Sequence, residues 1–323
     1  MKFRVLSDLH LDINQSYPLE LADKSVFTVI CGDTSGYPDM TIDWIRRNVE
    51  RGVGVSGNHL PYNDLRESVQ NMRERLAAAF PASAGFTYLD CETGTFHKVV
   101  DGILFAGSCM YSDFGISHKY WNKDGDVEFN MRCSEFNMND YRFGMVDDGF
   151  GGLRRMRASD CLRWFNNAFA KLDGLLKDNE ASPSPLPVVL VTHFNLLPDY
   201  LTKSYYVSDA AYLDRPTDFN WSSYASDRSA WLAGFPHLKC YCCGHIHDVF
   251  DDVRHFRMPA ADGHSVLVVN NARGYSQRGH DRSFNAGRYV DTETWEVVED
   301  PIPAEVKAKR EERARLYFPW NFS

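Results

Sequence analysis

Five apolar runs of this 323-residue chain end in side chains able to hold a cation: Asp8 with His10, Asp33, Asn58 with His59, His193, and His245 with His247. In Gly244-His245-Ile246-His247, two histidines two apart at a strand end point the same way, so their ring nitrogens can reach one place together. Gly244 removes a side chain where the backbone has to come close to something. Leaving His59 aside, the set is two carboxylates, one amide oxygen and four imidazoles. That mixture suits borderline transition ions such as Zn, Mn or Fe rather than calcium or magnesium alone. Seven ligands are too many for one tetrahedral ion and suit two ions about 3.5–4 Å apart that share a carboxylate, as in two-metal hydrolases. Two divalent ions balanced by Asp8, Asp33 and a bridging hydroxide leave about one net positive charge, which attracts a phosphate. A metal also brings the pKa of its water down to about 7, which makes a nucleophile available without a side-chain base.

Ligand sites of open α/β sheets gather outside the strand ends, and the chain has the elements to build one. Residues 3–6, 27–31 and 53–56 read as strands and 41–50 as a helix, with Ile42, Ile45 and Val49 at helical spacing. A second helix is expected over 64–79, with Leu65, Val69, Met72, Leu76 and Ala79 on one face and Pro81 closing it. Strands follow at 96–100 and 103–107, a helix at 157–177, a buried strand at 188–191 and a short helix near 226–234. The strand that carries His245 and His247 comes next, then strands at 266–269 and 288–298 and a charged helix at 303–316. Between Cys109 and about Phe150 the pattern dissolves into an aromatic-rich stretch with Tyr111, Phe114, Tyr120, Trp121, Phe129, Phe136, Tyr141 and Phe143. Residues 109–185, ending in Ser182-Pro183-Ser184-Pro185, are the expected insertion or cap on a single domain spanning 1–323.

The ordered blocks Asp8-Leu9-His10, Gly32-Asp33, Gly57-Asn58-His59, His193 and Gly244-His245-Ile246-His247 resemble the calcineurin-like metallophosphoesterase superfamily. The later Asn270-Asn271-Ala272-Arg273-Gly274-Tyr275 and the middle Met138-Asn139-Asp140-Tyr141-Arg142 are similar to blocks of its bacterial and phage branch. The resemblance implies a four-layer α/β/β/α sandwich and a dinuclear phosphoesterase, with in-line attack of metal-bound hydroxide on phosphorus. It implies one ion held by Asp8, His10, Asp33 and His247, and a second held by Asn58, His193 and His245, with Asp33 as the bridge. Asp33 and His59 are then the catalytic residues. His59 lies beside the phosphate, stabilising its charge or protonating the leaving oxygen. Asn58, Arg273 and Arg142 are the candidate substrate contacts, with Asn139 beside Arg142. Thr34 and Phe194 depart from the family pattern, beside the expected ligands Asp33 and His193.

A formal net charge of −9 argues against a broad nucleic-acid surface and an anionic-membrane anchor. A small phosphorylated substrate is the expected partner. No run approaches the length of a membrane span or a signal peptide. The eight cysteines sit mostly in apolar runs and read as reduced core residues, so the cytoplasm is the expected location. His97, His118, His237, His255, His264 and His280 have no motif partners and read as structural or surface residues. The terminal helix is expected to be dispensable for chemistry. Two other classes keep the same fold: a metal-binding scaffold without turnover, and a nucleotide-binding regulator.

Overall fold

The apolar runs Phe27–Cys31 and Val188–Thr192 are buried along their whole length, as strands covered on both faces must be. The computed structural model describes residues 1–116, 126–202, 221–247, 249 and 251–317; His118, Tyr120 and Trp121 lie outside them. The strands are β1 (Lys2–Leu6), β2 (Phe27–Cys31), β3 (Gly52–Val55), β4 (Phe86–Tyr88), β5 (His97–Val100), β6 (Ile103–Ser108) and β7 (Met145–Asp147). They continue as β8 (Leu153–Arg155), β9 (Val188–Thr192), β10 (Leu238–Cys243), β11 (His255–Pro259), β12 (Ser265–Asn270), β13 (Arg288–Asp291) and β14 (Glu296–Glu299).

Two six-stranded sheets result, in the orders β14-β13-β1-β2-β3-β4 and β11-β12-β10-β9-β6-β5. Strands β1 to β4 run parallel, as do β6, β9, β10 and β12, while β13, β14, β5 and β11 add antiparallel edges. Between the sheets, Phe3, Val5, Val29 and Val53 pack against Phe105, Val189, Val191 and Val269. Helices Pro38–Asn48 and Val69–Ala79 cover the outside of the first sheet with Trp44, Ile45, Met72 and Leu76. Helix Ala158–Glu180 covers the second with Phe165, Ala168, Leu172 and Leu176. The fold is an α/β/β/α sandwich, and stacking the parallel strands side by side brings their C-terminal ends to one edge.

Four expectations change. The second helix starts at Val69, because the Ser68 hydroxyl accepts from Asn71 N at 3.2 Å and caps it; Leu65 is left 43% exposed. Strands β4 and β11 add to those expected, the first too short to show a period in sequence and the second too polar. Residues 288–298 fold back into the hairpin β13–β14. Within 109–185, helix Ala158–Glu180 is a layer of the sandwich, so the inserted part is narrower. It comprises helices Val127–Asn137 and Asp140–Phe143 and the hairpin β7–β8, around Tyr111, Phe114, Val146, Met156 and Trp164.

Candidate metal centre

Each strand end delivers its polar residues through a tight turn, and the turns are laced to one another. Asp8 N donates to Gly32 O at 3.0 Å, His10 N to Asp33 O at 3.0 Å, Gly244 N to His193 O at 3.0 Å and Gly274 N to Asp8 O at 2.9 Å. Among the described residues nine non-glycines have positive φ, and four of them are Asp8 (53°), His10 (43°), Asp33 (48°) and His245 (65°). Left-handed backbone of this kind costs about 1–3 kcal/mol per residue and persists only where the surroundings fix it. The interlocked backbone does so here. Gly244 is required by contact: a Cβ there would lie 2.6 Å from Asp8 Oδ2 and 2.8 Å from the Cys31 carbonyl oxygen. Gly244→Ala should therefore push His245 N away from Asp8 Oδ2, now at 3.0 Å. We expect about 1–3 kcal/mol of destabilisation by overpacking and a fall in metal content; an unchanged melting temperature and metal stoichiometry would contradict this.

All seven expected ligands converge. His247 Nε2 is 2.8 Å from Asp8 Oδ1 and 3.1 Å from His10 Nε2. Asp33 Oδ2 is 3.4 Å from His193 Nε2 and 3.9 Å from both His10 Nε2 and His59 Nε2. Three overlapping donor sets therefore fit within 4.8 Å: Asp8, His10 and His247; His10, Asp33 and His59; Asp8, Asp33 and His193. Asn58 and His245 join through the amide oxygen. Asn58 Oδ1 lies 2.9 Å from His193 Nε2 and 3.1 Å from His245 Nδ1. Its orientation is set from behind, because Asn58 Nδ2 donates to Tyr62 Oη at 2.9 Å and Asp140 Oδ2 at 3.3 Å.

The donors fit a cation. His193 Nδ1 faces the Cys31 carbonyl at 2.9 Å; with the Nδ1–H donating to that oxygen, the Nε2 lone pair points at Asp33 and Asn58, the usual orientation of a ligating histidine. Burial works against a charge on His193, yet Asp33 beside it raises its pKa to about 9. A place that attracts a proton so strongly, between a carboxylate and an amide oxygen, suits a cation. Burial alone would raise the Asp8 carboxyl, but His247 holds it well below the carboxylate range. Asp33 is held low against its burial by His193 and His59. Burial, then His59 for His10 and His193 for His245, keeps those two rings neutral as ligands must be. His10 Nδ1 and His245 Nε2 have no hydrogen-bond partner among the described residues. Ring contacts orient them instead: His245 against Phe194 at 4.1 Å and Tyr224 at 5.1 Å, His10 against His59 at 4.5 Å and Tyr275 at 4.8 Å.

The candidate substrate contacts divide. Arg273 is buried, donates to the Tyr17 carbonyl, and sends its backbone N–H to Ser7 O at 2.9 Å. It pins a loop. Arg142 is exposed and reaches back to Phe136 O at 3.1 Å, and Asn139 is exposed beside it. From that block it is the buried Asp140 that touches the centre, taking the Tyr62 hydroxyl at 2.7 Å as well as Asn58. Tyr62 also stacks on His59 with centroids 4.2 Å apart. Asp140 and Tyr275 lie inside the Met138–Arg142 and Asn270–Tyr275 blocks, whose arginines are the more obvious phosphate contacts; Tyr62 has no signal in the sequence. His280 is not peripheral: its ring lies 5.7 Å from that of His247.

No family model and no curated protein matches the chain. The fold is similar to that of a solved structure, phosphopantetheinyl hydrolase (PptH) from Mycobacterium tuberculosis, with a TM-score of 0.57 over 85% of this chain and 89% of that one. At 17% identity the likeness to PptH shows the fold alone.

The terminal helix Ala304–Tyr317 is mostly charged and presents no apolar stripe, so it needs polar anchors. Arg313 supplies them, with Nε on Ser276 O at 2.8 Å and Nη2 on both oxygens of Asp281 at 3.1 and 2.9 Å. Ala314 packs against Gly279. The helix thus braces the loop that carries Tyr275, which gives a reason to test the expectation that it is dispensable. Ending the chain before Ala304 should lower kcat by on the order of 10-fold to 10²-fold, the range for small misplacements near a reacting centre. Equal kcat for the truncated and full chains would show that the loop holds itself.

Proposed function

We propose that the chain is a dinuclear metal-dependent phosphoesterase of the calcineurin-like kind. It would act in the cytoplasm on a small phosphorylated mono- or diester. The observation that carries this reading is Asp33 Oδ2, which faces His193 Nε2 at 3.4 Å on one side and His10 Nε2 at 3.9 Å on the other. In this reading Asp8, His10 and His247 hold one ion, Asn58, His193 and His245 hold the other, and Asp33 serves both. Two such ions, when bound, acidify water and neutralise charge on a phosphoryl group. The side chains do the rest. Asp8, His10 and His193 are fully buried, so charge developing beside them is little screened. Asp140 and Tyr62 keep the amide of Asn58 from turning its N–H groups inward. His59, with Nε2 3.9 Å from Asp33 Oδ2, stands where a donor could meet the phosphoryl or leaving oxygen. No helix of the described residues is long and apolar enough to cross a membrane.

The test is to strip the protein, reload it with Mn, Fe or Zn, count ions per chain, and offer aryl mono- and diesters, nucleotides, phosphosugars and a phosphopantetheinyl compound. The last follows from the name of PptH. Two ions and turnover are expected. Two ions with no turnover across the panel would favour a scaffold, tight nucleotide binding without hydrolysis a regulator. A chain that takes up no metal would end the reading.

A further inference from the structure

His59 is held on its faces by flat rings: Tyr62 stacks at 4.2 Å and His10 lies edge-on at 4.5 Å. Packing of that kind fixes the plane of an imidazole but not its edge. A half-turn about the Cβ–Cγ bond exchanges Nε2 with Cε1 at almost no steric cost, since the two edges have the same shape. Within hydrogen-bond reach among the described residues, the group that distinguishes them is Tyr275, whose hydroxyl lies 3.2 Å from His59 Nε2, while Asp33 Oδ2 stands off at 3.9 Å. The tyrosine is itself bolted down. Gly274 N donates to Asp8 O at 2.9 Å, Asn14 Nδ2 donates to Gly274 O at 2.8 Å, and Ser276 N donates to Asn14 Oδ1 at 2.9 Å. Its ring fills the angle between His10 at 4.8 Å and His247 at 5.0 Å.

Building on the phosphoesterase reading, we propose that Tyr275 is a positioning residue for His59: its hydroxyl decides which edge of the imidazole faces Asp33 and the reacting phosphate. Tyr275→Phe leaves the ring against His10 and His247 and removes only the hydroxyl. On an ester with a poor leaving group kcat should fall about tenfold, the effect of one hydrogen bond, with KM and metal content unchanged. If the tyrosine acts through the histidine, the change should have no further effect in a His59→Gln background. A full second tenfold loss there would overturn the proposal. The second readout needs no turnover. In full-length protein labelled with ¹⁵N-histidine, metal-free and zinc-loaded, Tyr275→Phe should move the His59 Nε2 resonance and leave other histidine signals in place. An unmoved His59 signal would overturn the proposal. If the wild-type chain hydrolyses nothing, the phosphoesterase reading fails, and this spectrum alone decides whether Tyr275 orients His59.

Discussion

Asp33→Asn should empty the centre of both ions and lower kcat by on the order of 10³-fold or more, since metal ions contribute several kcal/mol to stabilising such a transition state. The substitution is a clean one. Asparagine is among the few residues at ease at positive φ, and Asp33 sits at 48°. Its amide oxygen can still accept from His59 N, as Asp33 Oδ1 does at 2.9 Å, so the turn after β3 keeps its anchor. What is lost is charge at the one oxygen that faces His193, His10 and His59 together. An ion in either group would then lean on neutral imidazoles with Asp8 as the remaining carboxylate. Equilibrium dialysis followed by elemental analysis gives the ion count. A variant that still carries two ions per chain refutes the shared role of Asp33, whatever its rate.

The seven converging side chains were legible because strand ends of a parallel sheet are forced to one edge, so residue type at those positions already implied proximity. Gly244 was legible for a similar local reason: a histidine pair cannot turn back onto Asp8 past a Cβ. Asp140 was not. Its reach to Asn58 spans 82 residues and depends on how a short helix of the insertion docks, which no local period encodes. Tyr62 lies in a turn, where aromatic residues leave no pattern until a partner such as His59 is placed beside them. Arg273 misled by its chemistry: a guanidinium near a candidate phosphate site suggests a clamp, yet the nearest acceptor its side chain meets is the Tyr17 carbonyl. The attachment of the terminal helix is hidden by its composition. A stretch this polar looks detachable, but its arginines are the means by which it is attached.

His59→Gln should keep both ions and lower kcat by on the order of 10²–10⁴-fold, the usual contribution of a positioned proton donor or acceptor. His59 Nε2 stands 3.9 Å from Asp33 Oδ2, whereas His10, His193, His245 and His247 each come within 3.1 Å of another member of the set. Removing it should therefore spare the metal. Glutamine retains the backbone N–H that binds Asp33 Oδ1 and fills much of the space between Tyr62 and His10, so the strand-end turn should hold. The loss should grow as the leaving group worsens: an aryl oxygen departs as a stable anion and needs little help, while an alkyl oxygen needs a proton. A uniform loss across leaving groups would instead point to charge stabilisation on the phosphoryl oxygens. Unchanged kcat with both classes of ester would leave His59 as a wall of the site, and Tyr275 would then have nothing to position for the reaction.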